Sequence, residues 1–281
     1  MMSTIAANLY SSTNTYVLLA IPFFILAGNI MDVSGISVRL INFFNSLVGH
    51  TKHGTAMVCV IVACFFAAIS GSGPATVAAL GGILIPAMSK SGYEKDTSAA
   101  LMSTAGAIGI VIPPSITFVV YGSVTGTSVG DLFMAGIIPG ILIGVAIYFT
   151  MVISSRGCNL VRQPKASGKE RWKAFGDAVW GILMPVIILG GIYGGIFTPT
   201  EAAAVSAIYG LIVGVFIYKT LRFKEIVVIL RQSVSQTAVV MLIIGCAAVF
   251  GKVLTFTGLA SDASQSLISI ARSEERRVGK E

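Results

Sequence analysis

Apolar runs of about 20 residues recur along most of this chain, the length an α-helix needs to cross a hydrocarbon core of ~30 Å. Only helices or closed barrels satisfy their own backbone polar groups at that depth. The runs are too long for barrel strands, so the expected fold is all-α and polytopic. The bulk composition agrees: 55% of the 281 residues are hydrophobic and 11% are charged, against roughly 25% charged in soluble domains. The formal charge of +7 would favour nucleic acid as a partner in a soluble protein. Here the basic residues sit in short loops between apolar runs, where they act as an orientation signal. The expected partner is the lipid bilayer, and no nucleic acid is implied.

The expected spans are Tyr16 to Met31, Asp131 to Ile153, Val179 to Phe197, Glu201 to Tyr218 and Thr237 to Thr255. Val33 to Val48 differs, because Ile36, Leu40, Phe43, Phe44 and Leu47 recur at helical spacing with Arg39, Asn42 and Asn45 between them. That pattern predicts a helix lying at the membrane interface. Lys219 to Leu230 reads as a separate basic amphipathic arm. Lys52, Lys90, Lys95, the linker from Arg156 to Lys173 and the 219–231 arm fall on one side if each span crosses once. The opposite loops, 122–130 and 194–200, contain no Lys or Arg. The basic side is therefore expected in the cytoplasm. Cys59, Cys64, Cys158 and Cys246 have no metal or redox spacing; the three in apolar runs are expected as small core residues.

Two elements are broken where a membrane helix should continue. Ala67 to Met88 reads AAISGSGPATVAALGGILIPAM. Each half of the 55–88 unit has about 15 residues, roughly 22 Å of helix, which predicts a re-entrant hairpin with a glycine-serine tip. The first helix is expected to end near Ser70 and the second to start near Pro74. The tip would then offer carbonyls and serine hydroxyls to a hard cation, and free N–H groups to a carboxylate. Pro113-Pro114 breaks the next span, Thr97 to Tyr121. It frees the carbonyls near Gly109 and Ile110, and Ser115 adds a hydroxyl. The hairpin tip is not expected to be a packing core, so a bulky residue at Gly71 is expected to affect ion dependence more than folding. Enzyme chemistry is not expected. His50 and His53 lie in an interfacial turn away from any serine nucleophile, GSGPATV lacks the lysine of a phosphate-binding loop, and Asp131 and Glu201 sit at helix starts.

An internal repeat aligns AGNIMDVSGIS (Ala27–Ser37) with FGKVLTFTGLA (Phe250–Ala260). By the span count the two copies run in opposite directions, the pattern of inverted repeats in secondary transporters. The offset is 223 residues, so a counterpart of Gly71 would fall near position 294, beyond the 281 residues of the chain.

The stretches LLAIPFFILAGNIM, ISGSGPATVAALGGILIPAM, IPPSITFVVYG and MPVIILGGIYGGIFTPTEAAAVSAIYGL resemble the large membrane subunit, DctM type, of tripartite ATP-independent periplasmic (TRAP) transporters. The likeness covers about residues 10–270. It implies an elevator-type secondary transporter in a bacterial inner membrane, driven by Na⁺ as coupling ion, with no other cofactor. The implied partners are a small four-helix membrane subunit, a periplasmic substrate-binding protein and a small organic anion such as a C4-dicarboxylate or sialic acid. The family's hairpin tip falls on Ser70, Gly71, Ser72 and Gly73, and its broken helix on Gly109, Pro113, Pro114 and Ser115. These are the expected substrate and Na⁺ contacts, with Na⁺ assigned to Ser70, Gly71, Ser72 and Gly109. The implied division is a first repeat over 1–155 (scaffold helix, interfacial arm, hairpin and broken helix), a cytoplasmic basic linker over 156–175 and the start of an incomplete second repeat over 176–271. The polar tail 272–281 is expected to be non-native, and the chain truncated at both ends. The alternatives are a citrate-type ion-coupled permease needing no binding protein, and a membrane scaffold that transports nothing.

Overall fold

The computed structural model describes residues 2–158, 160–259, 264–265 and 268, and among these the chain is helical with no strand. The tail 272–281 and Ala260 of the second repeat copy lie outside the described residues. In chain order the helices are α1 (Met2–Thr13), α2 (Ala20–Val33), α3 (Ile36–Val48), α4 (Gly54–Ser70), α5 (Gly73–Lys90), α6 (Lys95–Ala107), α7 (Ile116–Thr125), α8 (Val129–Ser154), α9 (Gly168–Tyr193), α10 (Pro199–Ile212) and α11 (Phe223–Phe256). Short tight turns at Tyr16–Leu19 and Ile108–Ile110 lead into α2 and out of α6, and a wider turn, Val213–Ile217, extends α10. Five helical stretches among the described residues are long and apolar enough to cross a membrane: Tyr16–Val33, Val129–Ser154, Gly168–Tyr193, Pro199–Ile217 and Phe223–Phe256. Large apolar side chains such as Ile138, Leu142 and Phe149 point outward from α8, as lipid-facing residues do. The protein is an all-α, multi-pass membrane protein.

The chain divides into two compact units, one of residues 16–237 and one of residues 1–15 with 238–281. In the smaller, Gly245 lets α11 come close to α1: a Cβ there would stand 3.1 Å from Leu9 Cγ. In the larger, α2 buries Ala20, Ile21, Phe24, Ala27, Ile30 and Met31. It packs against the small-residue face of α10 formed by Ala203, Ser206, Ala207 and Gly210. Small residues on that face allow the close approach on which membrane helix pairs depend.

The hairpin forms as expected, with α4 ending at Ser70 and α5 opening at Gly73-Pro74. At 17 and 18 residues its arms reach about 26 Å, still short of a full crossing. The base of the hairpin is tied by hydrogen bonds. Thr55 Oγ1 lies 3.0 Å from Ser91 Oγ, and His53 Nδ1 lies 3.2 Å from Ser155 Oγ and 3.4 Å from Tyr93 Oη. Burial and the Lys52 charge hold the His53 imidazole below its ordinary pKa, which favours the neutral ring in this cluster.

Several expectations change. The helix expected over Val33 to Val48, α3, starts at Ile36, because Gly35 takes a left-handed turn (φ 71) and stops α2. The expected linker is helical from Gly168 onward: Ser167 and Glu170 form a reciprocal capping box that starts α9. The basic arm and the last span are one 34-residue helix, α11. No Gly or Pro lies between Phe223 and Ile244, so the polar run Arg231-Gln232-Ser233 interrupts hydropathy but not the helix. Of the cysteines expected in the core, Cys59 is buried, Cys64 half-buried and Cys246 exposed.

Ser34 N–H donates to Ile30 O and Gly35 N–H to Asp32 O; Thr257 N–H donates to Val253 O and Gly258 N–H to Thr255 O. Gly35 and Gly258, the aligned glycines of the repeat, both have φ 71. The two segments thus end their helices with the same local geometry at the same offset.

Candidate functional site

At the hairpin tip, Gly71 adopts a left-handed conformation (φ 63) and its N–H donates to Ala67 O at 2.8 Å, closing α4. Ser72 is extended, and Pro74 sits in the first turn of α5 where its missing N–H costs nothing. Ser70 is 3% exposed and Thr76 fully buried. Ser70 Oγ lies 3.2 Å from Thr76 Oγ1 and 3.3 Å from Ser72 O, and the Thr76 hydroxyl donates to Ser72 O at 2.9 Å. The result is a buried knot of three neutral oxygens between the C-terminus of one helix and the N-terminus of the next.

The second break begins where α6 tightens. Ile108 O accepts from both Val111 N–H and Ile112 N–H at 2.9 Å. Pro113 and Pro114, joined by a cis bond, carry no N–H for the carbonyls of Gly109 and Ile110. The Ser115 hydroxyl donates to Ile110 O at 2.6 Å and caps α7 by accepting Phe118 N–H at 3.4 Å. Its proton and the Ile110 carbonyl are therefore engaged within the break itself. The Gly109 carbonyl keeps no proline-side donor.

These two breaks meet. Ile116 N–H, the first of α7, donates to Gly71 O at 3.1 Å. A Cβ on Gly71 would stand 2.8 Å from Pro114 O, one on Gly73 3.0 Å from Gly106 O, and one on Gly109 3.2 Å from Gly73 N. A Cβ on Gly28 of α2 would stand 3.0 Å from Ser70 Cα. Gly71, Ser72 and Gly73 are thus brought against Gly106, Gly109, Pro114 and Ile116, with Gly28 of α2 behind Ser70, while Pro113 and Ser115 belong to the second break and are not among these tip contacts. This overturns the expectation that Gly71 lies outside a packed core. The tip is close-packed backbone against backbone, and a side chain at Gly71 would be strained by both its φ and its neighbours.

Two groups were not singled out in the sequence. Thr76 belongs to the oxygen knot; its signal is a hydroxyl one helical turn after Ser72, where Thr bonds back to the carbonyl four residues earlier. Asn29, next to Gly28, donates from Nδ2 to Ser233 Oγ at 2.8 Å and to Gln236 Oε1 at 3.0 Å. A polar residue inside an apolar run is the signal it carried. Among the described residues no three His, Cys, Asp or Glu side chains cluster as metal ligands. What the arrangement offers is neutral oxygen, which suits a hard monovalent cation, and the N-terminal dipole of α5, which suits an anion.

The family of the tripartite ATP-independent periplasmic transporter DctM component matches residues 1–277. The chain is 46% identical over 252 residues to the C4-dicarboxylate TRAP transporter large permease protein DctM of Pseudomonas aeruginosa, covering 90% of this chain and 59% of that protein. It is 39% identical over 270 residues to the 2,3-diketo-L-gulonate TRAP transporter large permease protein YiaN of Escherichia coli, covering 95% and 64%. It is also 39% identical over 246 residues to the sialic acid TRAP transporter large permease protein SiaM of Vibrio cholerae, covering 88% and 58%. The chain spans about three fifths of the length of these curated relatives. A match over nearly the whole chain, together with the hairpin and broken helix at its centre, places this protein in the DctM component family of tripartite ATP-independent periplasmic transporters.

Proposed function

We propose that this chain forms part of the large permease subunit of a sodium-coupled secondary transporter that takes up an organic acid across a bacterial inner membrane. A periplasmic binding protein delivers the substrate, and a small four-helix membrane subunit completes the complex. The substrate crosses chemically unchanged, so the subunit is not an enzyme. The observation that carries this reading is the junction of the two breaks through Ile116 N–H and Gly71 O at 3.1 Å. Two discontinuous helices meeting in a transporter family is the arrangement in which cation and substrate sites are built. The compounds named for the three relatives all carry a carboxylate, which matches the N-terminal end of α5.

Na⁺ is held at the tip by oxygens of Ser70, Gly71, Ser72 and Gly109, with Thr76 fixing the position of the Ser72 carbonyl. The shared geometry at Gly35 and Gly258 supports an inverted repeat, with residues 1–155 as its first copy, 156–175 as a cytoplasmic linker and 176–271 as the start of its second. The carrier then works as an elevator, the hairpin and broken helix moving against scaffold helices.

The test is uptake of ¹⁴C-labelled succinate and sialic acid into proteoliposomes holding the full-length permease, its small subunit and the binding protein. Uptake of at least one should require a sodium gradient. Equal uptake with potassium in place of sodium would remove the coupling assignment. Equal uptake without the binding protein would favour the citrate-type alternative.

A further inference from the structure

A cleft of about 180 Å³ opens between α3 and the first turns of α9, away from the transport site. It is lined by Arg39, Asn42, Glu170, Lys173, Ala174 and Asp177. Two cations and two carboxylates face the same small space, yet among the described residues none of the four is within ion-pair distance of an opposite charge. Unpaired charges that share a cleft are ordinarily neutralised by a ligand or by solvent.

Arg39 is held in place before any ligand arrives. Its Nη1 donates to Ser34 O at 2.8 Å and to Gly35 O at 3.0 Å, and its guanidinium lies 3.8 Å over the Tyr218 ring. Tyr218 in turn donates from its hydroxyl to Asp177 O at 2.8 Å. A guanidinium fixed by one edge keeps its remaining N–H donors for a phosphate. Glu170 has one oxygen engaged by Ser167 N–H at 2.7 Å, which leaves the other free. The two helices are in apolar contact through Phe43 and Phe175, ring centroids 5.6 Å apart, and through Ile36 at Gly181. Trp172, whose ring packs edge-on against Phe175, is 76% exposed. An amphipathic helix, a tryptophan and a charged rim are the features of a helix pair at headgroup level.

We propose that this cleft binds the headgroup of phosphatidylethanolamine, with Arg39 and Lys173 on the phosphate and Glu170 and Asp177 on the primary ammonium. The balance of charge selects this headgroup. The four lining charges sum to zero, so a zwitterion is matched, whereas phosphatidylglycerol would leave both carboxylates facing an uncharged glycerol. Phosphatidylcholine has the right charges, but its quaternary ammonium has no N–H to donate. Lys169 and Arg171 lie in the same turns of α9 without lining the cleft. They add a general attraction for anionic lipid that the experiment must separate from the site.

The purified chain, delipidated in mild detergent, is mixed with equimolar dioleoyl phosphatidylethanolamine, phosphatidylglycerol and phosphatidylcholine, and retained lipid is read by native mass spectrometry. Phosphatidylethanolamine should be retained roughly fivefold over each of the others, and D177N or K173Q should remove most of that preference. Both substitutions are at exposed positions; Arg39 is avoided because it also ties the turn between α2 and α3. In a second measurement on the unmodified chain, soluble phosphoethanolamine should displace the bound lipid and phosphocholine should not. Equal retention of the three lipids, a preference for phosphatidylglycerol, or unchanged selectivity in both folded variants would overturn the assignment.

Discussion

Two interruptions of apolar helix can be set side by side. The turn from Gly194 to Thr198 joins α9 to α10, and the tip from Ser70 to Gly73 joins α4 to α5. They use the same residue types, with glycine in a left-handed conformation at Gly195 (φ 68) and Gly71 (φ 63) and proline opening the next helix in both. Their polar groups are satisfied differently. At the turn the partners are local: Gly191 O accepts from Ile196 N–H and Phe197 N–H, and Thr198 and Glu201 cap each other. A Cβ on Gly195 would meet nothing within 4 Å. At the tip the Gly71 carbonyl is met by Ile116 N–H, and a Cβ on Gly71 would stand 2.8 Å from Pro114 O. A self-contained turn only reverses the chain. A turn whose partners come from another break couples two parts of the molecule.

The comparison predicts a graded series of effects, each measurable as unfolding of the chain in mild detergent. Gly71→Val combines a forbidden φ with overlap at Pro114 O and should cost more than about 3 kcal/mol. Gly28→Ala meets the Ser70 backbone at 3.0 Å and should cost about 1–3 kcal/mol by overpacking. Thr76→Val keeps the shape but removes the hydroxyl from the knot, so that Ser72 O keeps Thr76 N–H and Ser70 Oγ as donors and Ser70 Oγ loses its Thr76 partner. It should cost about 1–2 kcal/mol, with most recovered in Thr76→Ser. In the full-length permease the same valine variant should raise the sodium concentration needed for half-maximal uptake, which a purely structural threonine would not. Thr198→Ala removes a cap at the self-contained turn and should cost about 1 kcal/mol with no change in sodium dependence. Gly195→Asn should be nearly silent, since Asn tolerates the left-handed region and the position is open. If Thr198→Ala proved more damaging than Gly71→Val, the distinction between the two turns would fail.

Much of the local structure is legible in the residues. The end of α4 at Ser70, the start of α5 at Gly73-Pro74 and the break at Pro113-Pro114 follow from glycine, proline and the length of the apolar runs. The capping boxes at Ser167 and Thr198 are equally local, although the charges around the first outweigh its S-x-x-E pattern and give it the look of a linker. The continuity of α11 is hidden for a related reason. Hydropathy falls across Arg231 to Gln236, but the helix needs only that no proline or glycine intervene, and a polar stretch can be satisfied from outside, as Asn29 does for Ser233 and Gln236.

The sequence by itself determined that this chain is a helical membrane protein, where α4 stops and α5 starts, and which two elements are broken. Those outcomes depend on interactions within a few residues: φ limits at glycine and proline, i to i+4 hydrogen bonds, and the length of an apolar run. Only the tertiary structure decided that the two breaks face each other, that Thr76 completes the oxygen knot, that Ser115 serves its own break, and that Gly71 is a packing position. A carbonyl released by a break has no local partner. Which N–H reaches it depends on how distant helices pack, and local sequence patterns do not fix that.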